Sequence, residues 1–93
     1  DYNAATGAET LEQATQQGFG ARARFVKTDV AKEADIEAMI ACALDNFGRL
    51  DVLFNNAGVG GAIGPLTELT VEAFDYTFDV LTKSVFLGMK HGT

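Results

Sequence analysis

Apolar side chains at Ile36, Met39, Ile40, Ala43, Leu44 and Phe47 follow the spacing of one helical face. They predict a helix over Lys32–Phe47. Glu33 and Asp35 suit the positive end of its dipole, and Gly48 stands where a left-handed cap belongs. Asp45 is the one ill-placed charge, near the negative end. A weaker stripe at Ala4, Ala8, Leu11 and Ala14 (or Thr15) predicts a first helix over Ala4–Gln17. Thr6 and Glu9 have capping-box spacing, and Gly18 and Gly20 stop the helix. A third helix begins at the cap Thr70, with Glu72 in its first turn, and runs toward Lys90. Phe74, Phe78, Leu81, Val85 and Met89 (or Phe86) form its expected packed face.

Between the helices lie short apolar runs. Ala21–Lys27 alternates as a strand does, with Ala23, Phe25 and Val26 expected inside. Leu50–Asn55 reads as a second strand, whose Val52-Leu53-Phe54 run suits burial on both faces of a parallel sheet. Gly58–Leu69 is a loop with four glycines and the chain's only proline, Pro65. Helices alternating with strands indicate an α/β fold built on a parallel sheet.

Composition narrows the classes. Ninety-three residues make one domain at most, and 47% hydrophobic with 22% charged residues excludes a disordered chain. A net charge of −6 opposes phosphate backbones and anionic lipid, so neither nucleic acid nor membrane is an expected partner. No apolar run approaches the ~20 residues that span a bilayer, and no signal peptide opens the chain. One cysteine, Cys42, excludes an internal disulfide, and a single His beside it argues against a zinc cluster. A reduced, cytoplasmic setting is expected. Asp1 in place of an initiating Met, together with the small size, suggests a fragment.

Candidate chemistry gathers where strands end. Gly18-Phe19-Gly20-Ala21-Arg22-Ala23 matches G-x-G-x-x-G/A but follows a helix and opens a strand, the reverse of the required context. It reads as a helix stop and a turn. Asn55-Asn56-Ala57-Gly58 closes the second strand at the edge where open α/β sheets collect ligands. Small residues there admit a ligand to the backbone and the amides can brace it, although a plain polar turn has the same composition. Asp29, in Thr28-Asp29-Val30, ends the other strand on the same edge, able to accept from a ligand amine or simply to join a helix N-terminus. Asp1 precedes the first helix, where an acidic residue can bind a ribose hydroxyl pair. Cys42 lacks an activating neighbour, and Glu33, Asp35 and Glu37 suit a solvated face. His91 suits a helix C-terminus as a charge or as packing.

Thr28-Asp29-Val30, an amphipathic helix, and then Phe47-Gly48-Arg49-Leu50-Asp51-Val52-Leu53-Phe54-Asn55-Asn56-Ala57-Gly58 resemble the middle of a short-chain dehydrogenase/reductase. Phe74-Asp75-Tyr76-Thr77-Phe78-Asp79 and Ser84-Val85-Phe86-Leu87-Gly88-Met89-Lys90-His91 resemble the family's next helix, and Asp1-Tyr2-Asn3 the end of its second strand. The resemblance implies a Rossmann-type doubly wound parallel sheet, partial over residues 1–93. It implies that Asp29 contacts the adenine amine, Val30 packs on the ring, and Asn56, Ala57 and Gly58 line the cofactor. Asp1 would bind the adenosine ribose, favouring NAD over NADP. The implied reaction is hydride transfer between nicotinamide and a secondary alcohol or ketone, in a protein that assembles as a homo-oligomer.

The family's phosphate loop, its catalytic Ser and its Tyr-x-x-x-Lys pair match nothing in the chain, so no catalytic residue is assigned. Tyr76 is followed four residues later by Val80, not Lys. Leu81 stands where many members carry an Asn that supports a proton-relay water, a bond that leucine cannot make. With family strand order 3-2-1-4-5-6-7, the two strands present would lie about 14 Å apart at ~4.8 Å per strand. Such a piece is expected to pair them non-natively or to fluctuate. The rival readings are a small non-catalytic α/β module and a catalytically dead relative.

Overall fold

The computed structural model describes all 93 residues. Helix α1 spans Ala4–Gln16, α2 Glu33–Phe47, α3 Val71–Phe78 and α4 Ser84–Gly92. A π turn over Asp79–Lys83 joins the last two into one continuous rod, and the Ser84 amide donates to Asp79 O in its i→i+5 ladder. Short 3₁₀ turns occupy Gly20–Arg22 and Leu66–Glu68.

No residue belongs to a strand. Both expected strands are therefore corrected. Residues 21–22 lie in a 3₁₀ turn, and 23–29 and 50–61 carry no regular structure. A strand exists only through a ladder with a neighbour. The sole backbone bond of this kind runs from Thr28 N–H to Asp1 O, at 2.8 Å. The two segments do not pair with one another, so the non-native pairing expected of them does not occur. Burial of Val52-Leu53-Phe54 fails with the ladder: Val52 is 79% and Phe54 84% exposed, and Leu53 alone is half-buried.

The helices hold what core there is. Ile36 and Ile40 of α2 meet Leu87 of α4, with Val30, Met39 and Leu50 packed around them. Leu44 and Phe47, expected on the same face, remain nearly half exposed, and the Arg24 guanidinium lies 5.6 Å from the Phe47 ring centre. Gly48 takes the left-handed cap at φ +76° and its amide donates to Leu44 O. Lys32 is the N-cap of α2 rather than its first residue.

At α1 the cap is Asn3, whose Oδ1 accepts from Ala5 N and Thr6 N at 3.0 and 3.2 Å. The Thr6/Glu9 capping box is not formed, because the helix starts two residues before Thr6 could cap it. Its inward stripe is Gly7, Leu11 and Ala14, while Ala4 and Ala8 are exposed. Gly7 lies against the Phe25 ring so closely that a methyl there would overlap it.

Thr70 caps α3 as expected, accepting from Ala73 N at 3.1 Å. The packed stripe of the α3–α4 rod is Ala73, Thr77, Val80, Ser84, Leu87 and Gly88, not the aromatic one. Phe74, Phe78, Leu81, Phe86 and Met89 are each more than 40% exposed, and Val85 is half-buried. Small side chains let residues 53–62 approach the rod closely, and Phe rings at those positions would hold them off. Phe74 and Phe78 instead pack on each other, with ring centres 4.7 Å apart.

Only eight residues are buried, and the radius of gyration is 15.5 Å. A compact chain of this length has a radius of about 12 Å. The exposed area of 6772 Å² likewise exceeds the roughly 5,200 Å² of a compact domain of this mass. The excess is apolar surface on the aromatic face of the rod and along residues 52–54.

Candidate functional site

The first helix, the Thr28–Val30 corner and the segment after Leu53 enclose a cleft of about 660 Å³. Asp1, Asp29, Val30, Asn56, Ala57 and Gly58 all line it, so every candidate residue read from the sequence comes to one place. Local hydrogen bonds aim the acidic pair. Asp1 Oδ1 accepts from Asn3 N at 2.9 Å, and Asp29 Oδ1 accepts from Ala31 N at 3.0 Å. Each carboxylate keeps Oδ2 free of hydrogen bonds, available as an acceptor. The Asp29 amide donates to Asp35 Oδ2 at 2.8 Å, fixing the corner to the first turn of α2. Together with the bond from Thr28 N to Asp1 O, this holds two carboxylates from distant positions beside each other on one rim.

The opposite wall rests on the helical rod. Asn55 Oδ1 lies against Gly88, where an added Cβ would overlap it and would also reach within 3.1 Å of Leu53 Cδ2. A Cβ on Gly58 would stand 3.4 Å from Leu81 Cδ2, so Leu81 backs the loop that follows the asparagines. The π turn brings Val80 and Ser84 to the cleft, and the Ser84 hydroxyl donates back to Val80 O. Tyr2 and Tyr76 also line it and were not singled out from the sequence. Their only signals there are adjacency to Asp1 and the register of the rod, and that register was misread.

A second cluster lies between α2 and α4. Glu33 Oε1 accepts from Lys90 Nζ at 2.6 Å and lies 2.7 Å from His91 Nε2, while Glu37 Oε1 stands 3.6 Å from the same nitrogen. Hydrogen bonds from Lys90 and then His91 hold the Glu33 carboxyl below its ordinary value. The bond to Glu33 raises Lys90 in turn. Glu33 and Glu37 thus form an inter-helix contact instead of the solvated face expected of them, and Asp35 is half-buried. Glu33, Glu37 and His91 bring possible ligand atoms within 4.8 Å of one another, but the Lys90 ammonium already neutralises Glu33. No helix is long and apolar enough to cross a membrane.

Over residues 1–93 the chain matches the short chain dehydrogenase family. It is 39% identical over 88 residues to 2-(R)-hydroxypropyl-CoM dehydrogenase of Xanthobacter autotrophicus, covering 89% of this chain and 35% of that protein. A short chain dehydrogenase/reductase from Burkholderia phymatum in complex with NAD superimposes with a TM-score of 0.91 at 33% identity, over 98% of this chain and 31% of that one. ElxO with NADP bound superimposes with a TM-score of 0.74 at 29% identity, over 89% of this chain and 34% of that one. The chain spans a quarter to a third of the length of the curated relatives it matches. The α/β class therefore holds although no ladder forms within these residues: the helices and the cleft rim take the positions they have in complete dehydrogenases. The chain belongs to the short-chain dehydrogenase/reductase family of oxidoreductases.

Proposed function

We infer that residues 1–93 form the adenosine side of the coenzyme site in an NAD-dependent alcohol dehydrogenase or ketone reductase. The observation that carries this reading is the convergence of Asp1, Asp29, Val30, Asn56, Ala57 and Gly58 on one cleft. Its donor and acceptor set fits the group. Asp1 Oδ2 can accept from a ribose hydroxyl pair and Asp29 Oδ2 from the adenine amine, while Val30 offers an apolar face to the ring. Gly58 lacks a side chain, so the dinucleotide can lie against the backbone. A carboxylate at Asp1 repels a ribose phosphate, which favours NAD over NADP.

When bound, the nicotinamide supplies the hydride acceptor or donor for a secondary alcohol or ketone. The residues of this chain hold and orient the coenzyme and carry no proton themselves. The phosphate loop, the Ser and the Tyr-x-x-x-Lys pair are assigned to sequence flanking these residues, so the isolated chain is inactive. The exposed aromatic face of the α3–α4 rod supports assembly of the enzyme as a homo-oligomer. The half-buried free thiol of Cys42 supports a cytoplasmic setting.

The test is twofold. Sequencing the flanking DNA is expected to show Thr/Gly-rich loop codons upstream and Tyr-x-x-x-Lys downstream. A start codon at residue 1 with a stop after Thr93 would favour a non-catalytic module. Leu81 supports one rival, a catalytically dead relative, which a missing downstream Tyr or Lys would identify. In the complete enzyme, a dinucleotide soak is expected to put adenosine beside Asp1 and Asp29, and density elsewhere would overturn the assignment.

A further inference from the structure

From Phe54 to Glu68 only Gly61 and Ala62 escape full exposure. Both lie against one side chain, Thr77 of α3. The Ala62 amide donates to Thr77 Oγ1 at 2.9 Å, and that hydroxyl donates to Ala73 O at 2.7 Å. Residues 56–68 make no other hydrogen bond to a different element of the protein. The segment holds four glycines, Gly58, Gly60, Gly61 and Gly64, and so has unusual freedom to lose on ordering. Gly61 sits at φ +78°, and a Cβ there would come within 3.0 Å of Thr77 Cγ2. One turn along, Leu81 stands behind Gly58.

We propose that Thr77 is a positioning residue for the coenzyme, pinning the glycine loop to the α3–α4 rod and so fixing Asn56-Ala57-Gly58 at the cleft wall. The chemistry is directional. A hydroxyl has one proton and two lone pairs; giving the proton to Ala73 O turns a lone pair toward the Ala62 amide. Valine keeps the shape and loses both bonds, whereas serine keeps the hydroxyl. The loop leaves Gly58 directly, with three residues between that glycine and the pinned amide. A loop freed at Ala62 spreads its motion to the residues against which the dinucleotide rests.

This inference rests on the coenzyme reading above, and its test separates the two. In the complete enzyme carrying this segment, Thr77→Val is expected to raise the KM for NAD about fivefold, with kcat little changed, the scale of one lost hydrogen bond. Thr77→Ser is expected to stay within about twofold of wild type. Amide exchange in the same proteins is expected to speed at Ala62 in the valine variant and not in the serine one. A KM for NAD unchanged by Thr77→Val, or a fall in active enzyme at constant KM, would overturn the role of Thr77 and leave the coenzyme reading intact. A wild-type enzyme that turns over with no nicotinamide dinucleotide would overturn both.

Discussion

The backbone of Gly88 touches the carboxamide of Asn55 so closely that no side chain fits between them. This contact seats the cleft wall on α4. Gly88→Ala is expected to displace Asn55 and Leu53 and to destabilise the enzyme by about 1–3 kcal/mol, the usual cost of overpacking a filled site. Urea unfolding of the variant beside wild type measures it, and equal midpoints would mean that the contact relaxes without strain.

Asp1 carries the strongest prediction about coenzyme choice. Asp1→Ser removes the charged acceptor and the repulsion of a ribose phosphate together. In the complete enzyme, kcat/KM with NAD is expected to fall about ten- to a hundredfold, the worth of charged hydrogen bonds to a ligand. The same change should improve use of NADP. Steady-state rates with the two coenzymes read the outcome, and an unchanged ratio would remove Asp1 from the site.

The positions that could be read from the chain are those fixed by local chemistry. Ile36 and Ile40 face the core because one helix periodicity puts them there, and Gly48 and Thr70 cap because their own conformations or oxygens suffice. The six cleft residues could be found because a motif and the ends of elements mark them. Ala21–Lys27 and Leu50–Asn55 could not be settled in this way: whether an extended run becomes a strand depends on a neighbour, and neither has a ladder. The rod was misread because size was taken for burial. Phe74 and Phe86 point outward, while Thr77, Ser84 and Gly88 allow the close approach that the cleft needs. Asn3 outranks Thr6 as a cap through two amide bonds that no spacing rule distinguishes.

The Glu33–Lys90 pair gives a pH dependence with a definite sign. Glu33 is held below its ordinary 4.5, so its contribution is present above that value and is lost as pH falls through the lowered one. Lys90 is raised above 10.5, so its contribution is present below that value and is lost as pH climbs through the raised one. Both side chains are about half exposed, so salt should weaken the pair. An NMR titration of the Glu33 side chain is expected to move upward in Lys90→Met, and an unmoved midpoint would show that the pair does not form in solution.

With eight buried residues, the isolated 93-residue chain is expected to unfold in urea with a slope below the ~1 kcal/mol/M at the low end for small proteins. Circular dichroism against denaturant measures it. A steep cooperative transition would mean that the chain closes its exposed faces in a way that this arrangement does not.

The π turn at Asp79–Lys83 makes the length of this stretch as consequential as its chemistry. Removing one residue from it would restore an ordinary α-helix and rotate everything downstream by about 100°. Leu87 would swing off Ile36 and Ile40, and a bulkier side chain would meet Asn55 in place of Gly88. Substitutions along the outer side of this helix can accumulate freely, whereas a single-codon deletion would dismantle the cleft at a stroke.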